Sequence, residues 1–130
     1  MTGRNVHLSK TVLLAEDLEI LRKMVRGFLE SLGIEVLEAS NAADAIHTAS
    51  SHPGPIDLLL TDVEMPGMSG WHLAPKIARL KPGIRIVYMS AGISLQAWND
   101  AIGKPVGAYF IQKPFRLEEL KALLVAIFSE

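Results

Sequence analysis

Cysteine is absent from this chain, and with it go disulfides, thiolate metal ligands and cysteine nucleophiles. Oxygen chemistry and four scattered histidines remain, a donor set that suits hard cations better than soft ones. A basic surplus is missing too: 13 Lys and Arg stand against 14 Asp and Glu, a net charge of -1, so there is no positive field to attract nucleic acid. No apolar run approaches the roughly 18 residues that a membrane helix needs. The opening Met1-Thr2-Gly3-Arg4-Asn5-Val6-His7 lacks the apolar centre of a signal peptide, so the expectation is a cytoplasmic protein that binds neither membrane nor nucleic acid. No repeat, low-complexity stretch or second domain is visible. What is there is 130 residues, 49% hydrophobic and 21% charged. One core suffices for such a chain, burying about 68 to 70% of the surface of its unfolded form. The expected organisation is an N-terminal extension over 1–10 and a single domain over 11–130.

Short apolar runs alternate with segments of helical period, the pattern of βα units around a parallel sheet. Five of each are expected. The first strand covers about 11–15. The helix after it places Ile20, Leu21, Met24, Val25, Phe28, Leu29 and Leu32 on one apolar stripe and ends at Gly33. The second strand, near 35–39, alternates as a less buried edge would, and Asn41 can cap a helix carrying Ala42, Ala45, Ile46 and Ala49. A third strand over 57–61 leads through a loop to a helix from Gly70 to Leu80, closed by Pro82-Gly83. The fourth strand, 84–89, ends at Ser90. The helix after it, about 94–102, is weak: Leu95, Trp98 and Ile102 make a thin stripe and Gly103-Lys104-Pro105 stops it, so it is expected to be the mobile element. The fifth strand, 108–112, runs through Pro114 into a helix with Leu117, Leu120, Leu124 and Ile127 inward and Glu118 and Glu119 at its positive end.

Charge concentrates at the ends of three strands: Glu16-Asp17 after Val12-Leu13-Leu14-Ala15, Asp62 after Leu58-Leu59-Leu60-Thr61, and Lys113 after Tyr109-Phe110-Ile111-Gln112. In an open α/β sheet, ligands bind outside the carboxyl ends of the strands where strand order reverses. Strand order 2-1-3-4-5 with right-handed crossovers sets strands one and three side by side and gathers Glu16, Asp17 and Asp62. Carboxylates so gathered repel and call for a cation. Mg2+ fits, because it prefers oxygen ligands and typically takes one or two carboxylates plus a phosphate. Asp17 and Asp62 would bind it directly and Glu16 through water. A carboxylate beside a metal, an ammonium and the Ser90 hydroxyl is also a place to receive a phosphoryl group.

Glu16-Asp17, the run Asp62-Val63-Glu64-Met65-Pro66-Gly67-Met68-Ser69-Gly70, Met89-Ser90-Ala91 and Phe110-Ile111-Gln112-Lys113-Pro114-Phe115 resemble, in order and spacing, the receiver domains of two-component response regulators. The resemblance spans about residues 11–128. The Phe-Ile-Gln-Lys-Pro-Phe ending and the Pro82-Gly83 turn look most like receivers of hybrid histidine kinases. It implies a flavodoxin-like (βα)5 three-layer sandwich with a parallel five-stranded sheet of order 2-1-3-4-5. It also implies a phosphorylatable signalling domain rather than a free-standing enzyme. Asp62 would accept phosphate from a sensor histidine kinase or a histidine phosphotransfer protein. Asp17, Asp62 and the Glu64 backbone carbonyl would hold Mg2+, with Glu16 completing the pocket. Lys113, Ser90 and Ala91 would surround the phosphate. Ser90, in place of the commoner Thr, and Phe110, in place of the commoner Tyr, would be the switch residues. Glu64 and Gly92 would border the attacking water and set the phosphate lifetime. The face built by the fourth helix, fifth strand and fifth helix would then bind the next protein or a second copy. With no further domain visible after Glu130, the signal is expected to leave by protein contact or onward phosphotransfer.

Plainer roles stand beside these. A lone Asp or Ser after a strand is usually a turn residue, and Phe110 is a core aromatic on spacing alone. Trp98 is either a partner contact or a packing residue, and Trp71 is expected to pack near the acidic loop. His7, His47, His52 and His72 lack ligand spacing, and Lys104 and Arg116 are expected to face solvent. Two rival classes are a haloacid-dehalogenase-type phosphatase, whose paired aspartates would sit on the first strand, and a degenerate receiver that only binds partners.

Overall fold

Leu58–Asp62 is buried at every position, as a strand must be when both faces of its sheet are covered. It is β3, the centre of a five-stranded parallel sheet, in a computed structural model that describes residues 7–101, 105 and 107–130. Around it run β1 (Thr11–Ala15), β2 (Glu35–Ala39), β4 (Arg85–Ser90) and β5 (Tyr109–Gln112), in the order β2-β1-β3-β4-β5. The connecting helices are α1 (Glu19–Ser31), α2 (Ala42–Ser51), α3 (Gly70–Leu80), α4 (Leu95–Asp100) and α5 (Leu117–Phe128). The fold is the flavodoxin-like α/β sandwich.

The two-residue period of the strands sorts the core into two layers. Val12, Leu14, Leu58, Leu60, Val87, Met89 and Ile111 face one way and meet Val25 and Leu29 of α1 and Leu120, Leu124 and Ile127 of α5. Leu13, Ala15, Leu59, Tyr88 and Phe110 face the other way, onto α2, α3 and Trp98 of α4. Each large aliphatic side chain taken from water here contributes about 1.5–3 kcal/mol. Alanine at 42, 45 and 49 lets α2 lie close to the sheet, and the Asn41 side chain caps that helix, accepting from the Asp44 amide at 2.8 Å. Gly33 follows α1 at φ 84°, a conformation that a side chain disfavours.

The structure departs from the sequence expectations in several places. The apolar stripe of α1 is wider than the surface it covers: Val25, Leu29 and Leu32 are buried, whereas Ile20 is 87% and Met24 51% exposed. Ile20 lies five residues, about 140°, round the helix from Val25 and so points away from the sheet. β3 and β4 each begin and end one residue later than expected, so Asp62 and Ser90 are the last residues of their strands. α4 covers only Leu95–Asp100, and Ile102 and Lys104 lie outside the described residues. Of the two roles open to Trp98, the structure gives buried packing. Arg116 is exposed, as expected, at the N-cap of α5, where the Glu119 carboxylate accepts from its backbone N–H at 2.8 Å. Among the described residues no helix is long and apolar enough to cross a membrane.

Candidate functional site

Parallel pairing puts the carboxyl ends of β1, β3, β4 and β5 on one rim, and the sheet's own ladder sets their heights. Ala15 pairs with Thr61, so Glu16 and Asp62, each the next residue, arrive side by side. The ladder continues beyond the strands: the Val63 amide donates to the Met89 carbonyl at 2.9 Å and the Lys113 amide to that of Ser90 at 2.9 Å. The loop after Asp62 folds back at once, with the Gly70 amide donating to the Val63 carbonyl at 2.8 Å. A Cβ at Gly70 would meet the Asp62 carbonyl oxygen at 2.2 Å, so the start of α3 reaches this position only with glycine.

Four charged groups meet there. Glu16 and Asp62 are 0% and 2% exposed, Asp17 is exposed, and the Lys113 ammonium reaches in from β5. Lys113 Nζ donates to Glu16 Oε1 at 2.8 Å and forms an ion pair with Asp62 Oδ1. Oε2 of Glu16 accepts from the Leu18 amide at 3.0 Å, and Arg22 of α1 donates to the Glu16 carbonyl at 3.0 Å. Burial and then the adjacent Glu16 carboxylate push the Asp62 carboxyl up to about 8. Burial would raise Glu16 as well, but its hydrogen bonds with Asp62, Lys113 and the Leu18 amide outweigh it and hold Glu16 below its usual value. For Lys113 burial opposes the charge, and the two carboxylates overcome it and raise the ammonium's pKa. One ammonium therefore serves the two buried carboxylates, and Asp17 stands at the rim without it.

That arrangement suits a hard divalent cation. Carboxylate oxygens of Glu16, Asp17 and Asp62 lie within 4.8 Å of one another. Neither Asp62 oxygen accepts from a backbone amide or a hydroxyl, and only Oδ1 is met by the Lys113 ammonium. A buried carboxylate oxygen with nothing to accept from is costly unless a cation or proton meets it.

Ser90 is buried at the end of β4 and turns toward the loop after β3: its hydroxyl donates to the Glu64 carboxylate, 2.8 Å from Oε2 and 3.0 Å from Oε1. The amides of Gly92 and Ile93 each donate to Ser90 Oγ at 3.0 Å. Ala91, beside it, is exposed at the rim. Phe110 is buried and stacks on Trp98 at 5.2 Å between ring centroids. Trp98 in turn lies parallel to Trp71 at 6.1 Å, and Tyr88 fills the angle between the two indoles.

Asp17, Asp62, Glu16 and Lys113 are thus brought together as the sequence led one to expect, with Ser90, Glu64 and Gly92 on the adjoining rim. The described histidines are not among the metal-competent groups. Sequence reasoning missed the ion pair of Lys113 with Glu16, the clearance that Gly70 provides, and the Glu64 contact with Ser90. Only the second left a local trace, in a glycine opening a helix directly after Ser69.

Known proteins share this frame. The family model of the response regulator receiver domain matches residues 12–125. The response regulator receiver protein CpdR of Brucella abortus (strain 2308) is 34% identical over 111 residues, covering 85% of this chain and 90% of CpdR. The autoinducer 1 sensor kinase/phosphatase LuxN of Vibrio campbellii is 34% identical over 116 residues, 89% of this chain but only 13% of LuxN. Among solved structures, the receiver domain of the hybrid histidine kinase CckA superposes with a TM-score of 0.77 at 28% identity, covering 89% of this chain and 96% of that one.

Proposed function

Since this chain belongs to the response regulator receiver family of two-component systems, we propose that it is a phosphoacceptor switch whose acceptor is Asp62. The observation that carries the reading is the Asp62 carboxylate itself, buried at a strand end with no backbone or hydroxyl donor and held beside the Lys113 ammonium. An Asp62 oxygen attacks the phosphorus of a phosphohistidine, the P–N bond breaks with its electrons going to the imidazole, and an acyl phosphate forms. Attack of water on that phosphorus later restores the carboxylate and releases inorganic phosphate. The domain assists both steps on itself and acts on no other substrate.

Asp17 and Asp62, with the Glu64 backbone carbonyl, would hold Mg2+, and Glu16 would hold it through water; the ion neutralises charge on the transferring group when bound. Lys113 supplies a second positive charge at the same oxygens. It can do so without leaving Glu16, because an ammonium has three donors. Ser90 and Ala91 border the phosphoryl position. The phosphoryl group's charge and acceptor oxygens then bias Ser90 and, through packing, Phe110. Phe110 has no hydroxyl, so its message travels through the ring stack with Trp98.

The donor is a sensor histidine kinase or a histidine phosphotransfer protein, in keeping with the relatedness to LuxN. The responding face comprises α4, β5 and α5, where a cavity of about 340 Å³ is lined by Leu95, Phe110, Ile111, Gln112, Pro114 and Leu123 and offers a seat to a partner or a second copy. The cytoplasm is the compartment in which such donors operate.

The test is the intact mass of the protein after incubation with acetyl phosphate and Mg2+. One phosphoryl adduct is expected, absent with EDTA and absent in Asp62→Ala. An unmodified wild type, or an adduct that survives in Asp62→Ala, refutes the assignment.

A further inference from the structure

A serine hydroxyl has one proton to give and two lone pairs with which to accept. In this molecule all three are committed. The Gly92 and Ile93 amides occupy the acceptor side of Ser90 Oγ, and the single proton is shared by the two carboxylate oxygens of Glu64. Ser90 thus has nothing left for an oxygen on Asp62. Glu64 is exposed, so its carboxylate suffers no burial penalty that would drive it off, and a charged acceptor makes the stronger kind of hydrogen bond. Position 92 leaves it room: a Cβ there would lie 3.4 Å from Glu64 Oε2, so a larger side chain would contest the space that the carboxylate fills.

We propose that Glu64 is a positioning residue that latches the switch hydroxyl, so that a phosphoryl group on Asp62 obtains the Ser90 proton only by displacing the Glu64 carboxylate. This rests on the phosphoacceptor reading above and adds to it a competition for one proton between two anions. The latch sets a threshold. While Glu64 holds Ser90, part of the phosphoryl group's interaction with the domain is spent on release, and the active arrangement is populated less than Asp62 and Lys113 alone would allow. Repulsion between the phosphoryl oxygens and the Glu64 carboxylate works in the same direction as release.

Trifluoroberyllate with Mg2+, a non-hydrolysing stand-in for the phosphoryl group, supplies the test in a double-mutant cycle. Glu64→Ala is expected to tighten its binding about tenfold, the scale of one hydrogen bond to a charged group. In a Ser90→Ala background the same substitution should change affinity by less than about twofold, because no proton remains to be contested. Glu64→Gln, which keeps an acceptor, should fall between wild type and Glu64→Ala. Equal tightening in both backgrounds would assign the effect to bulk repulsion and overturn the latch, as would no tightening in either. A readout without any phosphoryl group comes from the amide proton resonances of Gly92 and Ile93: they should move in Glu64→Ala, where Ser90 Oγ reorients, and unmoved resonances overturn the proposal. Failure of wild type to bind trifluoroberyllate at all would instead bring down the phosphoacceptor reading, whatever the amides show.

Discussion

The Lys113 ammonium lies 2.8 Å from Oε1 of Glu16, a residue 97 positions earlier in the chain, and pairs at the same time with Asp62. A cation contributed by the last strand thus holds together two acidic ends of the central ones. Removing it leaves the buried Glu16 carboxylate and the Asp62 carboxyl with no cation beside them, and breaking buried pairs from one side typically costs about 3–5 kcal/mol. Lys113→Met is expected to lose about 2–4 kcal/mol in urea unfolding at neutral pH without Mg2+, and to regain part of it when Mg2+ is added. Unchanged stability would show that the ammonium does not bear on the carboxylates.

Asp62 gives the opposite sign. Its carboxyl is raised from an ordinary 3.8 to about 8, so the folded state holds the proton more tightly than the unfolded chain does. The stabilisation this confers is complete below about pH 4 and is lost progressively as the pH rises to about 8. Metal-free wild type should therefore be less stable at pH 8.5 than at pH 5.5. Asp62→Asn should flatten that part of the profile and raise the melting temperature at pH 8 by roughly 3–10 °C. A steeper profile in Asp62→Asn would contradict this.

Occupation of the acidic cluster should stabilise the fold by mass action. At free Mg2+ ten times its dissociation constant the gain is about 1.4 kcal/mol. Asp17→Asn removes one of the three carboxylates and should lose most of that gain while leaving metal-free stability within about 0.5 kcal/mol, since Asp17 is exposed. An undiminished response to Mg2+ in calorimetry would rule Asp17 out as a ligand.

Gly70→Ala tests the packing that supports the site. The added methyl would sit 2.2 Å from the Asp62 carbonyl oxygen, so either the start of α3 or the end of β3 must move. A cost of about 1–3 kcal/mol is expected, with slower phosphorylation by acetyl phosphate than in Gly27→Ala, whose Cβ meets nothing within 4 Å. Equal rates in the two variants would show that the approach of α3 to Asp62 is not critical.

Much of this was legible before any coordinates. Charge at Glu16-Asp17, Asp62 and Lys113 follows apolar runs, and a parallel sheet sends all carboxyl ends to one rim, so their meeting followed from topology. Asn41 followed from its place before the Ala42–Ser51 period. The outward faces of Ile20 and Met24 did not, because periodicity tells which residues share a stripe but not how broad a surface the sheet offers beneath it. Nor could spacing show Glu64 beside Ser90. Twenty-six residues separate them, and the contact depends on side-chain rotamers at the ends of neighbouring strands. The orientation of Trp98 was left open for a related reason: a six-residue helix has too few apolar positions to declare an inward side.

The ring stack gives the molecule a built-in optical gauge. Its two tryptophans, Trp71 and Trp98, are within 2° of parallel, and one of them lies against Phe110. All of the indole emission of the protein therefore originates in one aromatic column running from the start of α3 through α4 to β5. Any reseating of Phe110 alters the surroundings of that column, so a change of state at the rim can be followed in native protein by its own light.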